Sequence, residues 1–210
     1  MRTLKTTLIL VVASAVYGFA AGSVHSLLFA SRNLIKFPLL IVVTTVVCSL
    51  AHFLLARFAG LTLPFGEVQT TVLRIFRSLS VLLASASPVV YFLAMTIEQP
   101  RSAHDLREYP MFLGFNVLLV AVCGSVALWS QARVLLQGSR LTKARVWSII
   151  AAWLLLSLFV GAQWAWYLRP FFGVSALEED TPFCLGTAPD FRGATSFYES
   201  VYQIFDPPTG

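Results

Sequence analysis

Residues 37–56 read FPLLIVVTTVVCSLAHFLLA, an apolar run without a charged side chain that lies between Lys36 and Arg57. A helix needs about 20 apolar residues to cross a hydrocarbon core about 30 Å thick, and this run has that length. Lipid offers the backbone no hydrogen-bond partners, so a single spanning segment of this composition must be helical. The run therefore predicts a transmembrane helix.

Four other long apolar runs flank this one, and each predicts a further spanning helix. They cover approximately residues 7–30, 76–97, 110–132 and 146–168. The sequence thus predicts an all-α fold, a polytopic bundle of about five transmembrane helices within residues 1–169, followed by an extracytoplasmic tail at 170–210. The first run also has features of a signal peptide, since Arg2 and Lys5 precede it, but its length favours an uncleaved anchor.

The composition supports the same class of protein. Hydrophobic residues make up 57% of the chain and charged residues only 12%, about half of the charged share in soluble domains. The pI of about 9.4 is explained by basic residues at the cytoplasmic ends of membrane helices, so no nucleic-acid partner is predicted. The three cysteines lack the spacing of a zinc site, and neither a metal nor another cofactor is predicted.

The distribution of charge predicts the orientation of the chain. With the N-terminus in the cytoplasm, the inner segments hold nine of the Lys and Arg residues and the outer segments six. The acidic residues divide more sharply, with only Glu67 inside and nine outside. Since Lys and Arg are retained on the cytoplasmic side, the N-terminus is predicted to be cytoplasmic and the C-terminus extracytoplasmic.

The segment AQWAWYLRPFFG at 162–173 marks the exit of the fifth predicted helix. Trp164 and Trp166 are amphipathic rings that favour the membrane interface, and Arg169 can extend its charge to the headgroups. Pro170 disfavours helix at the preceding residue. In the tail beyond, apolar residues at 197, 201, 204 and 205 have helical spacing, which predicts a short amphipathic helix on the outer membrane face or against the bundle.

Small residues predict where helices approach closely. Ser14, Gly18, Gly22 and Ser26 recur at every fourth position, and Gly161 belongs to a shorter version in the fifth helix. Such faces allow backbones to approach in lipid, where the hydrophobic effect does not drive association. The contact would lie within the chain or with another subunit.

Ionisable and amide side chains are the candidate functional groups of a membrane bundle. Arg57, Arg74 and Arg77 would extend to cytoplasmic phosphates or form a site for an anionic lipid or a partner. His25 and His52 lie too far apart along the membrane normal to bind one metal or haem, so each is predicted to be a hydrogen-bonded structural residue. Asn116 and Gln163 are predicted to form hydrogen bonds between helices.

Three blocks of the sequence carry a resemblance: Lys36–Leu40, Ala84–Pro88, and Gly161–Phe171 with the pattern Gly-x-Gln-x-x-Trp-x-Leu-Arg-Pro-Phe. In this order they resemble a family of poorly characterised multi-span bacterial membrane proteins. The resemblance implies location in a bacterial inner membrane and implies no activity.

The predicted spans contain no carboxylate, and the chain has no nucleophile elbow, P-loop or dinucleotide fingerprint. We therefore predict a non-enzymatic scaffold, assembly factor or accessory subunit that contacts membrane lipids and a protein partner or a second copy of itself. A small oligomeric channel or transporter is the alternative. A lipid-modifying enzyme would have to use His104, Asp105 and Glu108 of the outer loop.

Overall fold

The computed structural model describes residues 2–24, 26–96, 108–136, 141–168 and 171. It contains five α-helices and, within these residues, no β-strand: α1 (Arg2–Gly22), α2 (Leu27–Phe58), α3 (Phe65–Thr96), α4 (Glu108–Leu136) and α5 (Lys143–Tyr167). All five are long and apolar enough to cross a membrane. The predicted all-α, five-helix architecture is confirmed.

The boundary between the first two helices differs from the prediction. The run at 7–30 is divided, because α1 ends at Gly22 and α2 already begins at Leu27. Ser26 is the N-cap of α2, and its hydroxyl accepts a hydrogen bond of 3.3 Å from the backbone N–H of Phe29. Ser26 therefore starts the second helix and does not extend the small-residue face of the first. Lys36, predicted to flank the second span, lies inside α2.

Helices α2 and α3 each contain 32 residues and are therefore about 48 Å long. This length exceeds the hydrocarbon core by more than ten ångströms, so both helices extend beyond it. Helix α3 begins at Phe65, well before the predicted start at residue 76, and its first turns are amphipathic with Val68 and Val72 fully buried. The apolar-run criterion misses such a segment because its exposed face is polar.

Helices α1, α2 and α3 form the centre of the bundle, and α4 and α5 pack on its outside. Helix α1 makes extensive contacts with α2 and α3, α4 packs on α3, and α5 packs on α2, whereas the contact between α4 and α5 is slight. We call the end of the bundle at which α1, α3 and α5 begin the basic end, and the end at which α5 finishes the tail end. Helix α2 is the most buried span and α5 the least buried.

Gly18 and Gly22 mark a close approach of the α1 backbone to α2. A Cβ atom added to Gly18 would lie 2.7 Å from Cβ of Phe37 and also against the backbone oxygen of Asn33. A Cβ atom added to Gly22 would lie 2.8 Å from the backbone oxygen of Phe29. These two glycines thus bring α1 onto α2 within the chain, and Ser14 is fully buried on the same helix.

Candidate functional site at the tail end of the bundle

Two polar side chains are buried in the tail-end half of α2. Asn33 is 1% exposed and Lys36 is 4% exposed. They lie on the buried stripe of the helix, which continues through Phe37, Leu40 and Thr44 toward the basic end. An ionisable residue buried in a membrane bundle is costly and is by default a functional candidate. Asn33 and Lys36 therefore mark the candidate site at the tail end of the bundle.

Asn33 connects the α1–α2 pair to the chain beyond α5. Its Nδ2 donates a hydrogen bond of 2.5 Å to the backbone oxygen of Phe171, whereas its buried Oδ1 has no hydrogen-bond partner among the described residues. The Phe171 ring also lies edge-on to Phe37, with ring centroids 6.2 Å apart, and Phe37 contacts Tyr17 at 4.8 Å. One amide and three aromatic rings thus hold the segment that leaves α5 against the first two helices.

A second hydrogen bond joins α1 to α4 in the same half of the bundle. The hydroxyl of Tyr17 donates to Oδ1 of Asn116 over 2.7 Å, and both residues are buried. Nδ2 of Asn116 donates to the backbone oxygen of Phe112, one turn earlier in α4, over 2.8 Å. The Asn116 amide therefore forms the hydrogen bond between helices that was predicted for it.

His52 occupies the interface between α2 and α5, closer to the basic end. Its Nε2 lies 3.1 Å from the backbone oxygen of Trp153, and since a carbonyl only accepts, Nε2 carries the proton. The imidazole also stacks on the Trp153 indole at 4.7 Å, and the Ser157 hydroxyl lies 3.2 Å from Nε2. His52 is fully buried and has the structural role predicted for it.

These clusters offer little for catalysis. A serine nucleophile needs a histidine that can accept its proton and a third group that orients the ring. The Nε2 proton of His52 is directed to a carbonyl, and no described residue forms a hydrogen bond with Nδ1. Within the described residues, no group of three or more His, Cys, Asp or Glu side chains could hold a metal ion. The polar groups instead connect one helix to another.

The predicted basic residues lie apart from this site, at the basic end. Arg57 is exposed in the last turn of α2, with its guanidinium carbon 5.3 Å from the Phe53 ring centroid. On α3, Arg74 is exposed beside a shallow depression that also contains Glu67, and Arg77 is half-buried. The arginines are thus on two helices, and no direct contact joins those of α2 and α3 in the described structure.

The predicted residues of α5 are described in part. Trp164 and Trp166 are half-buried, and the Trp164 ring contacts Tyr167 at 6.0 Å. Gly161 lies opposite Thr44 of α2, at 3.9 Å from the Thr44 methyl group to an added Cβ. Arg169, His25, the outer-loop residues His104 and Asp105, and the predicted amphipathic helix of the tail lie outside the described residues, as does the side chain of Glu108.

Sequence reasoning missed Asn33 and Lys36 as site residues. Arg32 and Lys36 indicate a connection between two spans when only charge is considered. The helical periodicity of the same segment indicates a continuous helix. Asn33, Phe37, Leu40 and Thr44 are three or four residues apart, and this spacing continues the stripe of α2 without a break. Extending that periodicity past the charged residues would have placed both side chains on the buried face.

Comparison of the chain with protein-family models, with curated proteins and with solved structures found no match in any of the three. The resemblance drawn from the three sequence blocks accordingly stays a prediction.

Proposed function

We propose that this chain is a non-enzymatic scaffold, assembly factor or accessory subunit of a membrane complex, and that the bundle holds its C-terminal tail ready for a partner. The observation that carries the proposal is the hydrogen bond from Asn33 to the backbone of Phe171. This bond ties the beginning of the tail to α2, at the level where α2 packs closely against α1. A tail with an ordered start loses less conformational entropy when a partner binds it.

The use of polar groups in the interior supports binding over catalysis. Tyr17 is bonded to Asn116, and His52 to the backbone of Trp153. Each of these bonds joins two different helices, and none of the bonded side chains is paired with a described carboxylate. Groups used in this way stabilise a rigid platform, whereas general acid–base chemistry needs a positioned proton donor or acceptor that is free to react.

The proposed setting is a bacterial inner membrane, with the N-terminus in the cytoplasm and the tail outside. The excess of basic residues at the basic end supports this orientation. The partner would then meet the tail on the extracytoplasmic side, and the least buried helix, α5, would offer an apolar face to a partner span. A second copy of the chain is one possible partner.

Site-specific photo-crosslinking from the tail tests the proposal. A photoreactive phenylalanine analogue replaces Phe197, and cells are irradiated before purification. We expect one discrete adduct in the wild-type background and several-fold less in Asn33→Ala, which lacks the bond to Phe171. Ser125→Ala is the matched control, because the Ser125 hydroxyl donates only to Ala121 of its own helix.

Two outcomes would contradict the proposal. One is the absence of any discrete adduct at normal expression level. The other is an adduct that is equally strong in Asn33→Ala and in the Ser125→Ala control. Folding of each variant is checked by its elution volume and helical circular dichroism in detergent.

One observation favours transport as a second candidate function. Three polar atoms buried along α2 have no hydrogen-bond partner in the part of the chain that the structure describes: Oδ1 of Asn33, Oγ1 of Thr44 and Nδ1 of His52. From Asn33 to His52 the helix rises about 28 Å, close to the thickness of the hydrocarbon core. A permeating solute or ion could use such a series of acceptors and donors.

Solute flux separates the two candidates. The scaffold proposal predicts that liposomes containing the purified chain show no flux of small ions or solutes above empty liposomes. Flux that falls in Thr44→Val, a substitution of nearly equal volume that removes the hydroxyl, would replace the scaffold proposal with transport.

A further inference from the structure

A groove between α2 and α5 opens at the basic end of the bundle. It has a volume of about 340 Å³ and is lined by two helical stripes: Leu55, Phe58 and Ala59 of α2, and Arg145, Ser148, Ile149, Ala152 and Trp153 of α5. The spacing of three and four residues in each stripe shows that one face of each helix forms one wall. The groove is separate from the tail-end site.

The packing of α5 against α2 explains why the groove exists. His52 of α2 and Trp153 of α5 stack between the two helices, with ring centroids 4.7 Å apart. Further along toward the tail end, small contacts such as Gly161 against Thr44 allow closer approach. The groove begins on the basic-end side of the stacked pair, and Trp153 forms its inner end.

The groove runs from the membrane interface into the hydrocarbon. Trp129 of α4 and Trp147 of α5 stack at 4.2 Å, and the guanidinium of Arg133 lies 5.9 Å from the Trp129 ring centroid. Amphipathic indoles favour the interface, so this level marks the headgroup region. Arg145 is two residues from Trp147 and so lies near this level. Trp153 follows Arg145 by eight residues and lies about 12 Å deeper along α5.

The mouth of the groove favours a negative charge. Arg145 is exposed there, and Lys143 begins the same helix. Thr142 caps α5 by accepting from the backbone N–H of Arg145 at 3.4 Å, so the positive end of the helix dipole also lies at this mouth. Eight cationic residues of the described chain lie toward the basic end, against the single carboxylate of Glu67: Arg2, Lys5, Arg57, Arg74, Arg77, Arg133, Lys143 and Arg145.

We propose that this groove binds one anionic phospholipid from the leaflet at the basic end, with its phosphate at Arg145 and one acyl chain along the apolar walls to Trp153. The mostly apolar walls of the groove match an acyl chain, and the basic mouth beside them matches a phosphate. The charge at the mouth distinguishes an anionic lipid from a zwitterionic one. The inference holds whether the chain acts as a scaffold or in transport.

Native mass spectrometry of the full-length chain in mild detergent tests the site. The chain is titrated with phosphatidylglycerol and, separately, with phosphatidylcholine. We expect one tightly retained phosphatidylglycerol per chain and weaker retention of phosphatidylcholine. Arg145→Gln should weaken phosphatidylglycerol binding about fivefold, the effect of one basic residue near a membrane surface.

Two pairs of variants distinguish lipid binding in the groove from general electrostatic attraction of anionic lipid to the basic end. Ala152→Phe fills the groove and should abolish retention of the lipid, whereas Ala151→Phe, on the exposed side of α5, should leave it unchanged. Arg133→Gln, at the same end but outside the groove, controls for Arg145→Gln.

Equal losses in Arg133→Gln and Arg145→Gln, or equal retention of the two lipids, would overturn the proposal. If Ala152→Phe does not fold, the comparison of the two arginine variants decides alone, since both side chains are exposed.

Discussion

Replacing Gly18 with alanine tests the packing of α1 against α2. The new methyl group would be 2.7 Å from Cβ of Phe37, well inside the 3.4 Å at which ordinary contact begins, and it would also meet the backbone oxygen of Asn33. Neither neighbour is the flexible end of a side chain, so α1 must move away from α2. Overpacking of this kind costs about 1–3 kcal/mol.

A second term acts in the opposite direction. Alanine is favoured over glycine inside a helix by about 1 kcal/mol. Gly124→Ala isolates this term, because an added Cβ at Gly124 meets no heavy atom within 4 Å. The expected net effect of Gly18→Ala is a loss of about 0–2 kcal/mol in the free energy of unfolding, whereas Gly124→Ala should gain about 1 kcal/mol, so the two variants should differ by about 1–3 kcal/mol.

Unfolding by sodium dodecyl sulfate in mixed micelles, followed by circular dichroism, measures the difference. Gly18→Ala should unfold at a clearly lower detergent mole fraction than Gly124→Ala. The separation of α1 from α2 should also weaken the Asn33–Phe171 bond, which faster backbone amide exchange after α5 would report. If Gly18→Ala and Gly124→Ala unfold together with the wild type, the proposed close contact does not exist in the membrane protein.

Three further predictions concern a hydrogen bond, a buried ring and the topology. A double-mutant cycle between Tyr17→Phe and Asn116→Leu should give a coupling free energy of about 0.6–1.7 kcal/mol in the same assay, and a value of zero would remove the α1–α4 bond. His52→Ala should destabilise the bundle by about 2–4 kcal/mol, because it leaves a cavity and removes the ring that stacks on Trp153. His52→Phe keeps a stacked ring and should cost only about 1 kcal/mol. Equal losses in the two variants would show that the stack contributes nothing. In a chain whose other two cysteines are changed to alanine, a membrane-impermeant maleimide should label Cys184 on intact cells, and labelling only after lysis would reverse the proposed orientation.

The sequence alone was sufficient to predict the number and type of the elements. Five apolar runs of spanning length leave the backbone no alternative to helix in lipid, and this argument does not depend on which helices are neighbours. Gly18 and Gly22 were recognised from their spacing, because a face of small residues has the same meaning in any bundle. The helix ends were less predictable, since charge and apolar length do not reveal a cap such as Ser26.

The site at the tail end required the folded structure. Asn33 is 138 residues from Phe171, and Tyr17 is 99 residues from Asn116, so no local pattern links the members of either bond. The groove beside Arg145 likewise depends on how α2 and α5 pack next to the His52–Trp153 stack. Hydropathy and spacing act along one helix and determined which segments cross the membrane, whereas helix order and side-chain contacts across interfaces decided which polar groups meet, because those depend on packing among all five helices at once.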